Sequence, residues 1–423
     1  MNSSRFLFYL YYYPPLPGTA PKRNHQISSE ISKRVSFSQI FTSAIIKNEV
    51  VQQPDDAVIT IKALDYRKIL RKRSKNGALP EEQKEGKKMQ WLIKLINTFP
   101  VNILAGEGGI FYFMSLLRRG QRSIRDNKIT HLYSSYRPFT DHYAAFILKR
   151  RNPHLFWIAD FRDLIIDPHY GHLFYPENHH FFFKRIFGKA NLLTTVSDGL
   201  AMHLKKYNPE VITLRNGIEH IPEQIQPVHC KYFKISYTGS MFLDKRNPEP
   251  VFIALQELFA QNLIKRDDVR IIYAGKDSFY WNNMASKYEM DSIFDDKGII
   301  LHDEALAIQK NACVNLLLTV SSDKLQGVLT GKMIEYFEAG SPILGVVVNQ
   351  NDPELDSMLI ELEIGKSFAD REIDYDNIRA FLYDEYLYWK RMGTNRKPVR
   401  LDVLRDKYSV EATMRPLYNK VFS

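Results

Sequence analysis

The sequence predicts an α/β protein made of two Rossmann-like, doubly wound domains that face each other across a cleft, with a C-terminal helix that returns to the first domain. Three observations predict it. The chain has 423 residues, more than one hydrophobic core usually holds. Short apolar runs alternate with amphipathic stretches, which is typical of βαβ units and parallel sheets. The alternation stops at residues 218–231 and then begins again, so we expect two similar halves.

The apolar runs give the positions of the strands. In the first half we predict strands at residues 6–12, 58–61, 131–134, 155–159, 192–196 and 211–214. In the second half we predict them at residues 233–237, 269–273, 299–301, 314–318 and 343–348. Helical patterns lie between them at residues 139–149, 199–206 and 331–339, and an aromatic-rich helical tail follows at residues 378–391 and 401–422.

The segment 218–231 has two prolines and no periodicity, as expected of a linker. We therefore expect a first domain over residues 1–224, a second domain over residues 225–390, and a helical tail over residues 391–423 that packs on the first domain. In open parallel sheets, ligands bind at the carboxyl ends of the strands.

Composition limits the class of protein. Hydrophobic residues make up 44% and charged residues 25% of the chain, which is ordinary for a globular protein. The two cysteines, Cys230 and Cys313, are far apart in sequence, which disfavours a disulfide framework and a structural zinc site. We expect a reducing compartment, the cytoplasm. The apolar run at residues 6–12 is too short to span a membrane and is interpreted as a buried strand.

The charge is unevenly distributed. Residues 1–222 contain 33 Lys and Arg against 18 Asp and Glu, whereas residues 223–423 contain 25 against 30. A basic half suits an anionic substrate, an anionic membrane surface or nucleic acid. We expect no nucleic acid, because no recognition motif accompanies the charge. Basic stretches at residues 67–88 and 116–128 leave open a peripheral position at the inner face of an anionic membrane; the alternative is a solvated basic surface.

Two strand ends in the first half carry candidate site residues. Gly18 follows the first strand and a proline-rich loop, where a glycine permits a positive φ or the close approach of a ligand. Asp160, Arg162 and Asp163 follow the strand at residues 155–159. Asp160 there could orient a hydroxyl or a sugar. The alternative is an Arg162–Asp163 pair that holds the loop.

The second half supplies a phosphate-binding pattern after its first strand. Gly239 follows that strand, and Lys245 and Arg246 come after a short loop. Phosphate groups are bound by backbone N–H groups at a helix start together with one or two cations. A surface basic pair after a turn is the alternative, and it is more reasonable for Arg246 than for Lys245.

A second such pattern is the stretch QGVLTGKMIEYFEAGSPILG at residues 326–345. Thr330 and Gly331 lie in a small-residue loop at the start of a predicted helix, where free N–H groups attract anions. Lys332 in the first turn is unfavourable for the helix dipole, so a bound anion would explain it. Glu335 could accept hydrogen bonds from a diol such as ribose.

With these residues the chain resembles the retaining glycosyltransferases of the GT-B fold, in particular the large group like glycosyltransferase family 4. The resemblance covers nearly the whole chain. It is carried by the order and spacing of YYYPPLPG, TTVSDGL, LRNGIE, YTGSMFLDK, YAGKDS and GKMIEYFEAGSPIL.

The resemblance implies roles for these residues. Asp160, where the family often has His, Lys245 and Arg246 would be catalytic. The donor would be bound by a larger set, which comprises Gly18, Gly239, Lys245, Arg246, Gly275, Thr330, Gly331, Lys332 and Glu335. Many members also have a glutamate before the ribose-binding one, near the transferred sugar. Seven residues separate the two glutamates, so with Glu335 as the ribose-binding one the position eight before it is Gly327 here.

The activity implied is transfer of a sugar, with retention, from a nucleotide diphosphate sugar to an acceptor hydroxyl. UDP-sugar is the favoured donor and the acceptor a glycan or a lipid-linked molecule, in the synthesis of cell-surface polysaccharide or glycolipid. We expect no metal and no other cofactor, because no Asp-x-Asp pair stands at a strand end. Two alternatives stay open. One is a non-hydrolysing nucleotide-sugar 2-epimerase, and the other is a non-catalytic GT-B scaffold or binding protein, which Gly327 would suit.

Overall fold

The computed structural model describes residues 2–16, 18–44, 57–63, 87–166, 173–241, 246–323, 326–327, 331–395 and 399–422. The chain divides into two compact units. Unit 1 comprises residues Met1–Arg215 and Met414–Ser423, and unit 2 comprises Asn216–Thr413. The first division lies before the expected 224/225 boundary because Ile218 pairs with the chain near the C-terminus. Its N–H donates to the carbonyl of Tyr408 at 2.8 Å.

Unit 1 is a layered α/β structure. Its strands are β1 (Asn2–Tyr9), β2 (Val35–Ala44), β3 (Val58–Lys62), β4 (His131–Tyr136), β5 (Phe156–Phe161), β6 (Leu192–Thr195) and β7 (Val211–Thr213). Its helices are α1 (Thr19–Ser32), α2 (Lys87–Asn97), α3 (Val101–Ala105), α4 (Gly109–Asp126), α5 (Phe139–Arg151), α6 (Pro176–Phe187) and α7 (Asp198–Leu204). In the described ranges the strands form one sheet of order β3-β2-β1-β4-β5-β6-β7.

Unit 2 repeats this organisation. Its strands are β8 (Phe233–Thr238), β9 (Val269–Ala274), β10 (Phe294–Asp296), β11 (Val314–Ser321), β12 (Ile343–Asn349) and β13 (Gly365–Ala369). Its helices are α8 (Glu249–Ala260), α9 (Ser278–Lys287), α10 (His302–Lys310), α11 (Gly331–Ala339), α12 (Pro353–Glu361), α13 (Glu372–Met392) and α14 (Leu401–Val403), and α15 (Val410–Val421) crosses into unit 1. The sheet order among the described strands is β10-β9-β8-β11-β12-β13.

Both sheets share one topology. In each unit the first strand is central, the second and third strands lie to one side, and the later strands lie to the other. The neighbouring strands in both sheets pair in parallel. This is the doubly wound Rossmann order, in which the strand order reverses between the first and fourth strands. The predicted fold class of two Rossmann-like α/β halves is confirmed.

The central strands are buried along most of their length because helices cover both faces of each sheet. The side chains of residues 6–11 in and after β1 are at most 1% exposed, and all eight residues of β11 are buried. In unit 1, Trp157 packs in the core, and in unit 2 Trp281 does so; both are 0% exposed. These cores fix the strand ends that carry the candidate site.

Three strands differ from the sequence-based expectation. β2 and β13 were not predicted, and residues 299–301 do not form the predicted strand. The third strand of unit 2 is instead the short β10, Phe294–Asp296. β2 (VSFSQIFTSA) contains Ser, Gln and Thr, which interrupt the apolar run by which interior parallel strands are recognised.

The C-terminal helix α15 packs its last turns on unit 1, as predicted. The Tyr418 hydroxyl donates to Glu30 at 3.0 Å, and the guanidinium of Arg34 lies 4.1 Å from the centre of the Tyr418 ring. The ring of Phe422 lies 6.2 Å from that of Phe6 in β1. Unit 1 is therefore completed by the end of the chain.

Among the helices in the described ranges, none is both long enough and apolar enough to cross a membrane.

Candidate functional site

The candidate site lies at the carboxyl ends of β8, β9 and β11, next to the point where the strand order of unit 2 reverses. β8 and β9 end in the same way, with Tyr-Thr-Gly and Tyr-Ala-Gly, and Tyr237 is paired with Tyr273 in the sheet. The N–H of Gly239 donates to the carbonyl of Ala274 at 2.6 Å. The two predicted glycines, Gly239 and Gly275, therefore lie side by side at this edge.

A close backbone contact requires the glycine at 275, and the backbone conformation favours the glycine at 239. A Cβ atom at Gly275 would lie 2.3 Å from the carbonyl oxygen of Gly239. Gly239 has φ +131°, a backbone conformation that favours glycine. A Cβ there would lie 1.9 Å from Nζ of Lys332. The absence of a side chain at residue 239 thus makes room for the ammonium group of Lys332.

Lys332 is half-buried in the first turn of α11. Its Nζ lies 4.6 Å from the centre of the Tyr237 ring and 3.4 Å from the Tyr237 hydroxyl. Burial, together with the charge of Arg246, lowers the pKa of Lys332 to about 7 against the opposing charges of Glu335 and Asp277. An anion at this position would restore the protonated state, because a nearby opposite charge favours it.

Arg246 adds a second cation to the same cluster. Its Nη1 donates to the carbonyl of Ser240 at 2.5 Å and lies 3.3 Å from the Tyr237 hydroxyl. The Tyr237 hydroxyl itself donates to the carbonyl of Ser240 at 3.0 Å. Arg246 and Lys332 thus both contact Tyr237. Lys245, the other predicted phosphate ligand, lies outside the described residues.

Glu335 lies one turn beyond Lys332 on α11. Its Oε2 accepts a hydrogen bond at 3.0 Å from Nε2 of Gln309, which also donates to Oγ1 of Thr238 at 2.8 Å. Gln309 on α10 thereby holds the carboxylate next to the end of β8. Gly331 is the first residue of α11, as predicted, and Thr330 lies outside the described residues.

Gly327 is fixed by its backbone. It has φ +67°, and its N–H donates at 2.8 Å to Oδ2 of Asp352, the N-cap residue of α12. A side chain at residue 327 would have to adopt the left-handed region, which is costly for residues other than glycine. The glycine at this position therefore has a local structural reason.

In unit 1 the predicted residues occupy two different environments. Gly18 caps the start of α1 with φ +114°, and a Cβ there would meet nothing within 4 Å. Asp160, in contrast, is fully buried at the end of β5. Its Oδ1 accepts from Nη2 of Arg23 and from Oγ1 of Thr194, both at 2.7 Å, and its Oδ2 accepts from Nε of Arg23 and Oγ of Ser135, both at 3.2 Å.

This network decides the protonation state of Asp160. Burial alone would raise the pKa of its carboxyl, but the Arg23 charge and its hydrogen bonds lower the pKa below the usual value. The arginine also donates to the carbonyl of Leu214 at 2.7 Å, so the pair ties three segments of unit 1 together. This geometry favours a structural role for Asp160, and its catalytic role stays a prediction.

The described residues can bind an anion and a diol in unit 2. Two cations contact the end of β8. One of them, Lys332, lies in the first turn of a nine-residue helix, where free N–H groups can bind an anion, and a held carboxylate follows one turn later. Among the described residues, no group of three or more His, Cys, Asp and Glu side chains could hold a metal ion. The arrangement is suited to a diphosphate attached to a ribose.

Comparisons with known proteins add solved structures of similar fold. No protein-family model matches the chain, and no curated protein matches it. Sucrose-phosphate synthase from Thermosynechococcus elongatus is similar with a TM-score of 0.61 and 12% identity over 99% of both chains. S. aureus TarM, in a complex with UDP and α-GlcNAc-glycerol, is similar with a TM-score of 0.58 and 10% identity, over 98% of this chain and 99% of that one. A trehalose-6-phosphate synthase is similar with a TM-score of 0.55 and 11% identity, over 99% and 98%.

The chain has the GT-B fold. In this GT-B protein, sequence reasoning missed the aromatic stack under the candidate site. The rings of Tyr273 and Trp281 are 5.0 Å apart and inclined by 17°, and those of Tyr237 and Trp281 are 5.4 Å apart and inclined by 22°. The stack fixes the Tyr237 ring against which Lys332 lies. The repeated Tyr-X-Gly at the ends of β8 and β9 was the signal that could have revealed it.

Sequence reasoning also missed the Arg23–Asp160 pair, because its two members lie 137 residues apart. Arg23 stands in an otherwise ordinary amphipathic helix of the GT-B chain, α1, and is 2% exposed. A charge on the buried face of a helix was the available signal.

Proposed function

We propose that this protein is a retaining glycosyltransferase that transfers a sugar from a nucleotide diphosphate sugar, with UDP as the favoured nucleotide, to an acceptor hydroxyl. The observation that carries the proposal is the position of Lys332. A half-buried lysine with a lowered pKa lies against a glycine at the switch point of a Rossmann-like sheet, which is where such sheets bind nucleotides. Nearby carboxylates only partly offset the burial of its positive charge, and the negative charge of a bound diphosphate would offset the rest.

The proposed chemistry assigns one task to each group. Lys332, Arg246 and the N–H groups at the start of α11 stabilise the negative charge that develops on the leaving diphosphate, an effect that accelerates bond cleavage directly. We assign the same task to Lys245 from its place in the sequence. Glu335, held by Gln309, accepts hydrogen bonds from the ribose hydroxyls. The mechanism invokes no metal and no other cofactor.

The choice of UDP as the nucleotide and of retention as the stereochemical outcome is suggested by the solved structures. TarM was solved with UDP, and the trehalose-6-phosphate synthase was studied for enzymatic glycosyl transfer with retention. These are properties of those proteins, and their identity to this chain is 10% and 11%. We extend both properties to this chain because its GT-B fold carries a cation cluster at the switch point of unit 2.

A panel of UDP-, GDP- and ADP-sugars, incubated with the full chain, tests the proposal by the release of free nucleotide. We expect slow release from one donor class, and loss of release in the Lys332→Met variant. Lys366→Met is the matched control, because Lys366 is exposed on β13 of the same unit. A new sugar nucleotide would indicate the epimerase instead. If folded wild-type protein neither binds nor turns over any donor, the transferase proposal is wrong and the scaffold reading is favoured.

We further propose that the enzyme works in the cytoplasm at the inner face of a membrane, in the synthesis of surface polysaccharide or glycolipid. The support is a stripe along α4 of exposed residues spaced three or four apart, Phe111, Met114, Arg118, Arg122 and Arg125. Residues at this spacing share one face of a helix. Aromatic and basic side chains on one face suit an anionic bilayer surface.

Co-sedimentation with vesicles tests the membrane part separately. We expect binding to vesicles that contain anionic phosphatidylglycerol, because each basic residue near an anionic surface contributes about 1 kcal/mol, and little binding to pure phosphatidylcholine. The double variant Arg118→Gln, Arg122→Gln should lose most of it, and the matched variant Lys366→Gln, Lys390→Gln in unit 2 should keep it. Equal binding by both double variants would contradict a role for the stripe.

A further inference from the structure

The sheet of unit 1 has its own switch point, between β1 and β4. Arg137 follows β4 directly and Arg162 follows β5 directly. Both guanidinium groups act electrostatically on the same two tyrosines, Tyr12 after β1 and Tyr136 at the end of β4. Two cations therefore converge at the strand ends where open parallel sheets bind ligands.

Arg162 has hydrogen-bond donors that no described residue accepts from. Its Nε donates to the carbonyl of Tyr136 at 2.8 Å, and the described residues supply no hydrogen bond to either Nη group. Asp160, the buried carboxylate near it, already accepts two hydrogen bonds from Arg23. Burial lowers the pKa of Arg162 despite the opposing charges of Asp163 and Asp160. Its guanidinium is thus half-buried without full compensation.

Arg137, the second of the two cations, also lines a small polar pocket. It is exposed, and it lines this pocket together with Asn102, Glu107 and Thr140. Oδ1 of Asn102 is buried and has no hydrogen-bond partner among the described residues. Oγ1 of Thr140 donates to the carbonyl of Glu107 at 3.1 Å, which holds the pocket wall together. Buried acceptors in proteins are nearly always hydrogen-bonded, so this oxygen is expected to accept from a bound group. Sugar hydroxyls can supply that donor.

Resting on the proposed function, we infer that this is the acceptor subsite and that the acceptor is a sugar carrying a phosphate or a carboxylate. The anionic group binds the Nη donors of Arg162 and the guanidinium of Arg137, since arginine forks match the geometry of both anions. The pocket beside Arg137 has a volume of about 50 Å³, so it admits one hydroxyl group of the sugar, which donates to Oδ1 of Asn102. The acceptor is selected by its charge as well as by its hydroxyls.

Binding of simple sugars to the full chain tests the inference without any donor. Isothermal titration with glucose 6-phosphate, glucuronate and glucose should detect the two anionic sugars and miss glucose at the same concentration. Tighter binding of the phosphate or of the carboxylate sugar tells which anion the acceptor carries. Arg137→Gln and Arg162→Gln should each weaken binding by about tenfold or more, as loss of a hydrogen bond to a charged group does.

Three controls make the test decisive. Lys332→Met in unit 2 should bind anionic sugars as the wild type does, which separates this subsite from the donor site. Arg151→Gln, a change of an exposed arginine at the end of α5, should have no effect. Arg162→Lys, with its melting temperature measured, keeps the positive charge and should bind in an intermediate way, so loss of binding can be told from loss of folding.

The results that overturn the inference are equally defined. Glucose binding as well as glucose 6-phosphate would remove the anion requirement. Loss of binding in Lys332→Met, with retention in both glutamine variants, would place the anion at the donor site. No binding of either anionic sugar would also overturn it. If nucleotides fail to bind while anionic sugars bind through the two arginines, the proposed function fails and the anion site stands.

Discussion

The affinity of the chain for UDP should fall as the pH rises above 7, because Lys332 loses its proton there. The pKa of this lysine is about 7 in the empty site, lowered mainly by burial. A diphosphate binds the protonated ammonium far better than the neutral amine. The fraction of free protein with a protonated Lys332 therefore falls as the pH rises, while the diphosphate is already almost fully ionised in this range.

The size of the effect follows from the protonated fraction. With a pKa of about 7, Lys332 is about half protonated at pH 7 and about one-hundredth protonated at pH 9. An apparent Kd scales inversely with the competent fraction, so the Kd for UDP should rise about 50-fold between these pH values. Binding at pH 8 should take up about 0.9 proton.

Isothermal titration with UDP at pH 7, 8 and 9, in two buffers of different ionisation enthalpy, measures both quantities. Lys332→Met should bind weakly at every pH and should take up no proton at pH 8. A wild-type affinity that changes by less than about threefold over this range, with no proton uptake, would refute the reasoning. So would a variant that shows the same slope as the wild type.

Three further changes test other contacts. Gly239→Ala places a Cβ 1.9 Å from Nζ of Lys332, so UDP affinity should fall to that of Lys332→Met; Gly298→Ala, also at positive φ but in open space, should keep it. Asp160→Asn should cost about 3–5 kcal/mol of stability by leaving a buried arginine unpaired, seen as a lower Tm; a normal Tm with lost transfer would instead favour catalysis. Burial raises the pKa of Asp141 to about 7, so the folded state favours its protonated form and stability falls as pH rises from about 4 to about 7; the Tm of the wild type minus that of Asp141→Asn should decrease between pH 5 and 8, and a constant difference would contradict this.

The architecture could be predicted from the sequence because a buried parallel strand is recognisable as a local run of apolar residues. The runs in β1, β8 and β11 are mostly apolar, since both faces of the sheet are covered. β2 leaves a weaker mark because Ser, Gln and Thr interrupt it. β10, with three residues, is too short to show any period. Local pattern therefore predicts the strands with continuous apolar runs and misses those that are short or polar.

The candidate site could be predicted only in part for a related reason. Gly239 and Lys332 were found separately, each by its place at a strand end or a helix start. Their contact across 93 positions of sequence depends on the pairing of β8 with β11, which no local pattern specifies. For Asp160 the position at a strand end was read correctly, but its partner Arg23 is set by tertiary packing. The sequence therefore predicted where these side chains lie along the strands and helices, but not which other side chains they contact.

The path of α15 has a consequence for how the protein is made. Unit 1 consists of the first 215 residues and the last ten, and those last residues contact β1 and α1 through Phe422 and Tyr418. A ribosome adds about 5–20 residues per second, so unit 1 leaves the exit tunnel and waits about 10–40 seconds while the roughly 200 residues of unit 2 are translated. During that interval the surface that α15 will cover is open to chaperones. Unit 1 can therefore close only after unit 2 has been translated.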